Sequence, residues 1–167
     1  MTKKAGLAAA AVVCVISLAI MTAALILCNK NSGNSVFTPP PFEAEAVSGT
    51  PDVPDESGWS EIYQAGMEFK AYVCGNVIAD GDSAVVYFTN SGDFDVWLKL
   101  RILDENGAVI GESGLLKPGE YVKSVPLTSD ITDEEAVRLK IMAYEPETYY
   151  SVGTVTLNTT IRKGESQ

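Results

Sequence analysis

The chain has 167 residues, no histidine and only three cysteines. Without histidine it lacks the usual neutral-pH general base and the commonest zinc ligand. Cys14 and Cys28 lie in an apolar run, which leaves Cys74 alone in the remainder. No disulfide can form within that remainder, so paired cysteines give no hint of an oxidising compartment. Basic residues are also scarce: 12 against 22 acidic ones, for a net charge of −10. Non-specific nucleic-acid binding needs cations to neutralise phosphates, so that class is excluded. Serine and threonine have no histidine to complete a common nucleophile–base pair. The carboxylate pairs Asp80/Asp82, Asp93/Asp95 and Asp104/Glu105 fall in expected turns, where aspartate is ordinary, and none has calcium-loop spacing. Neither enzyme activity, nor a cofactor, nor a metal is expected.

What is present is organised around Val96–Leu127, which reads as strand, turn, strand, turn, strand. Val96, Leu98, Leu100 and Ile102 share one parity, and Trp97, Lys99, Arg101 and Leu103 the other. That period of two marks a strand laid on a core. Asp104-Glu105-Asn106-Gly107 reverses the chain, with Gly107 at positive φ in a primed turn or as the bulge after a type I turn. Lys117-Pro118-Gly119-Glu120 reverses it again, with Pro118 presetting φ and Gly119 taking the left-handed position.

Before this comes different material. Lys3 and Lys4 precede an uncharged run from Leu7 to Cys28. As a helix that run spans roughly the 30 Å hydrocarbon core of a bilayer. An uncleaved anchor, a lipoprotein signal at Cys28 and a cleaved signal peptide compete. Length favours the anchor, because Ala23-Ala24 is followed by more apolar residues and Leu27 does not suit a lipoprotein site. The lysine distribution puts the N-terminus in the cytoplasm and the bulk outside the cell membrane. Cys14 and Cys28 read first as apolar packing, while Cys28, at the outer interface, is also placed to crosslink two copies, so a homo-oligomer is among the expectations. Asn29–Gly58 is rich in proline, serine, glycine and acid, the composition of a disordered stalk. Phe37, Phe42 and Val53 are unusual in a spacer and leave open that part of it packs back on the domain.

From Trp59 the chain reads as globular. Strands are expected at Met67–Cys74, Ala84–Thr89, Val96–Leu103, Ala108–Leu115, Tyr121–Leu127, Ala136–Tyr144 and Val152–Ile161. Seven short strands at regular spacing predict an all-β domain, an immunoglobulin-like antiparallel β-sandwich. The expected organisation is 1–28 cytoplasmic tip and transmembrane helix, 29–58 stalk and 59–167 sandwich. Thr89-Asn90-Ser91-Gly92, Asp104-Glu105-Asn106-Gly107 and Leu116-Lys117-Pro118-Gly119-Glu120 give Ala84–Leu127 a layout that resembles the immunoglobulin-like surface modules of Gram-positive bacteria, the FxLYD-type and fibronectin-like ones. The resemblance implies a non-catalytic, membrane-anchored module that displays or binds.

One candidate site follows. In an immunoglobulin topology the third and sixth expected strands are neighbours. Their outward sides carry Trp97, Lys99 and Arg101, and Arg138, Lys140, Met142 and Tyr144. A basic stripe flanked by aromatic residues is suited to a protein partner, with Tyr149 and Tyr150 on the adjoining loop. Adjacent cations repel, so acid is expected nearby, from Glu112 or from the acidic stalk. The expected function is protein interaction or structural support, with a place in a larger envelope, conjugation or secretion assembly among the expectations. The alternative is a ligand-binding sensor or surface adhesion domain, which a cavity would favour.

Overall fold

Alternation along Trp97–Leu103 is the clearest link from sequence to fold: Leu98, Leu100 and Ile102 are fully buried. A computed structural model describes residues 37–164. The expected membrane anchor at 7–28, its cysteines Cys14 and Cys28, and most of 29–38 lie outside them. No helix among the described residues is long and apolar enough to cross a membrane.

From Pro39 onward the described chain forms one compact unit. Its ten strands are β1 (Val47–Ser48), β2 (Trp59–Ile62), β3 (Ala71–Cys74), β4 (Asn76–Asp80), β5 (Ser83–Asn90), β6 (Trp97–Leu103), β7 (Val109–Glu112), β8 (Glu120–Pro126), β9 (Glu135–Tyr144) and β10 (Ser151–Lys163). They form a nearly all-β curled sheet in the order β1-β8-β5-β4-β10-β9-β6-β7, with β3 also on β5 and β2 on β3. Most neighbours are antiparallel, but β4 and β10 run parallel, with Asn76 opposite Thr160. The curl brings the flanks together: Gly111 bridges Leu127, and the Thr128 amide donates to the Ile110 carbonyl at 2.8 Å.

The core fills the curl. Phe88 of β5, Leu100 of β6, Val125 of β8 and Ile141 of β9 have no exposed surface. The turns follow their chemistry. Gly107 has φ 88° and donates to the Asp104 carbonyl, while the Asp104 carboxylate accepts from the Ala108 amide at 2.7 Å. The Asp104 amide donates to the Ala108 carbonyl at 2.9 Å, which makes this the bulged form of the turn, and a second irregularity shifts the β6–β7 register between Ile102 and Leu103. Gly119 has φ 76°, the left-handed conformation that a side chain resists.

Three elements differ from the expected strand list. Trp59–Ile62, where no strand is expected, is a strand on β3, and Asn76–Asp80 is a separate strand after a break at Gly75. The third lies within the segment read as stalk. There Leu115 donates to the Pro41 carbonyl, Glu43 donates to the Leu115 carbonyl, and Val47 pairs with Tyr121. Gly114 permits this approach, because a Cβ on it would lie 2.5 Å from the Glu43 nitrogen.

Candidate interaction face

The registers of β6, β9 and β10 place the expected stripe in rows on the outer side of the sheet. Trp97 lies opposite Tyr144, Lys99 opposite Met142, Arg101 opposite Lys140, and Leu103 opposite Arg138. β10 extends the rows with Thr154 beside Met142, Thr156 beside Lys140 and Asn158 beside Arg138. On the other flank β7 sets Glu112 opposite Arg101.

The two ends of this face differ. At the Trp97 end the surface is covered from within the chain. The Phe42 ring meets Trp97 edge-on at 4.8 Å, and Tyr149 meets it at 5.2 Å. Lys117 Nζ stands 4.9 Å over the Phe42 ring, a cation–π contact. Met142 is buried, and the Tyr144 hydroxyl points to its sulfur at 3.6 Å. Of the loop tyrosines, Tyr149, at φ 59°, is half-buried with its ring on Trp97, while Tyr150 is 73% exposed. The Thr148 hydroxyl, donating to the Glu145 carboxylate at 2.6 Å, braces this loop.

Lys99 is buried as well, at 5% exposure. Its Nζ lies 3.1 Å from the Glu112 carboxylate, which also accepts from Arg101 Nε at 2.9 Å. Burial pushes the Glu112 carboxyl up, but hydrogen bonds from Arg101 and Lys99 and their charges outweigh it, so it sits below its ordinary value. Glu112 thus supplies the acid that adjacent cations require. Glu43, from the segment read as acidic stalk, accepts instead from the Gly114 amide at 2.7 Å.

At the other end Arg138 and Lys140 are half-buried and make no ion pair among the described residues. Arg138 reaches the Asp104 carbonyl at 3.3 Å. What stays open is Arg138, Lys140 and part of Arg101, flanked by the exposed Thr154, Thr156 and Asn158.

Another feature escaped the sequence reading. Trp59 and Tyr72 stack at 4.7 Å on one wall of an open hollow of about 390 Å³, with Thr89, Ser91 and Asp93. A Cβ on Gly49, Gly92 or Gly119 would meet nothing within 4 Å. Asp93 holds Lys70 at 2.8 Å, and a hydrogen bond from Lys70 draws its carboxyl below the ordinary value. No protein-family model and no curated protein matches the sequence.

Proposed function

We propose that this chain is a non-catalytic interaction module, held at the cell membrane by Leu7–Cys28 and presenting its β-domain outside the cell. The carrying observation is the open half of the β6–β9–β10 face. There Arg138 and Lys140 stand without acid partners among the described residues, in a chain of net charge −10. Cations left partly covered and unpaired attract an acidic surface, and the threonines beside them add uncharged hydrogen-bonding groups.

Strand order supports reading the curled sheet as an immunoglobulin-like sandwich. β4-β5-β8, with β1 at its edge, and β10-β9-β6-β7 are two runs joined through β4. These match the A-B-E-D and G-F-C arrangements, with one extra strand beside C. The D position is filled from the N-terminal side by Val47–Ser48, a departure from that scheme.

The test is a crosslinking pull-down from membranes with wild type and Arg138→Glu/Lys140→Glu. Captured acidic partners should fall sharply with the variant and, for wild type, at high salt. Equal capture by both would refute the reading. The hollow beside Trp59 and Tyr72 favours a second reading, a sensor for a small polar ligand. Thermal-shift screening with sugars and amino acids tests it, since Gly92→Gln should fill the space and abolish any shift.

A further inference from the structure

β10 is 13 residues long, and its two sides are used unequally. One side pairs with β9 along nearly the whole strand. On the other side β4 covers only Thr160–Lys163. Among the described residues no strand pairs with Ser151–Asn158 on that side, and no backbone hydrogen bond from a turn or loop reaches it. At about 3.4 Å per residue, this is roughly 25 Å of open sheet edge.

Open edges are normally blunted by charge, proline, bulges or brevity. Ser151–Ile161 has neither a charge nor a proline. The single irregularity lies between Ser151 and Gly153, at the extreme end, and the register with β9 is unbroken from Gly153 onward. Val155 and Leu157 point toward the core yet are only partly buried, as side chains missing a neighbouring strand would be.

We infer that this edge pairs with the same edge of a second copy, antiparallel about a two-fold axis near Val155 and Thr156. Three observations select a second copy. The edge is uncharged, so self-pairing sets no like charges opposite each other. The side-chain period gives each copy Val155 and Leu157 on the inner side and Thr154 and Thr156 on the outer, so the two strands match. Beyond the pairing, Arg162 and Lys163 of each copy run toward the Glu145–Glu147 loop of the other, an attraction made twice by symmetry. The exposed Tyr150 lies at the end of the edge, where the other copy's β4 begins alongside its β10.

The test is sedimentation of the full chain in mild detergent, with Thr154→Glu/Thr156→Glu as the variant. Within one copy these positions face Met142 and Lys140, so the added carboxylates are tolerated there. Across the two-fold they face each other, whether Thr156 lies opposite Thr156 or opposite Thr154. Wild type should dimerise at about 100 µM, and the variant should raise the dissociation constant about tenfold or more. Mixing it with Thr154→Lys/Thr156→Lys should restore a mixed dimer, and circular dichroism of both should match wild type. A monomeric wild type, a dimer indifferent to the glutamates (one held by the N-terminal segment) or a mixture that fails to pair would each overturn the inference.

Discussion

Lys99 and Glu112 form an ion pair of which one partner is inside and the other is not. The lysine side chain is 7% exposed and the glutamate side chain 44%. The buried cation depends on its half-exposed anion, because a buried charge without a partner is far costlier than a surface pair is favourable.

Glu112→Ala should therefore destabilise the domain by about 1–3 kcal/mol, the penalty for a buried group left unsatisfied. Adding Lys99→Met should recover much of the loss, since an unbranched apolar side chain fits the same channel. The pH dependence has a fixed sign. Glu112 is held below its ordinary value, so its contribution is complete above about pH 4.3 and is lost as pH falls through the lowered folded value. Denaturant titrations of wild type and Glu112→Gln should converge as the solution is acidified; a constant gap between them would contradict this.

Phe42 and Gly114 make the segment ahead of β1 testable. Phe42→Ala removes the ring against Trp97 and the apolar partner of Lys117. Gly114→Ala expels the backbone at Glu43 sterically while leaving every side chain of that segment in place. Both should open Pro39–Gly49 to limited proteolysis and alter tryptophan emission, because Trp97 is one of only two tryptophans. Resistance equal to wild type in both variants would mean that the segment is not held by these contacts.

How far the sequence reaches is visible in the same residues. The alternation of Val96, Leu98, Leu100 and Ile102 was legible because burial is set by parity within one strand. So was the adjacency of Trp97, Lys99 and Arg101 to the outer residues of β9. That Lys99 is buried was not legible, since its anion, Glu112, stands on another strand and parity within β6 does not reveal the pair. The strand at Val47 was hidden by a proline-rich, acidic composition that denotes a spacer unless another surface supplies the hydrogen bonds. Phe37, Phe42 and Val53 were the local signals, and of these Phe42 packs on Trp97. Asn76–Asp80 was missed because Gly75 interrupts the alternation that would have extended β3.

Emptying the core on either strand of the β6–β9 pair tests the packing directly. Leu100 and Leu139 are 0% and 1% exposed. Each change to alanine should destabilise by about 2–5 kcal/mol, the range for a buried leucine site. Losses below about 1 kcal/mol at both positions would be too small for emptied core sites of this kind and would contradict the packing.

The membrane reading has its own test. With Leu7–Cys28 as an uncleaved anchor, the mature chain should keep Met1 or Thr2 and remain in the pellet after a carbonate wash. A mature N-terminus at or after Leu25, found by mass spectrometry, would replace the anchor with a cleaved signal.

Asn90 gives the sharpest test of how the turns are tied together. It belongs to the Thr-Asn-Ser-Gly stretch that looks like surface turn chemistry, yet it is 1% exposed. Its side-chain nitrogen donates to the Val96 carbonyl at 2.8 Å and to the Leu116 carbonyl at 3.0 Å. Its own carbonyl accepts from the Gly119 amide at 3.0 Å, so one residue fastens the start of β6 to the Pro118-Gly119 turn. Asn90→Ala should cost about 1–3 kcal/mol, because two buried acceptors lose their donor. Asn90→Asp should cost more at neutral pH, since it sets a carboxylate against two carbonyl oxygens. Protonation restores one donor, so the aspartate variant should regain stability relative to wild type as pH falls. The alanine variant should show no such recovery. Aspartate tolerated as well as alanine at neutral pH would mean that the nitrogen does not hold those two carbonyls.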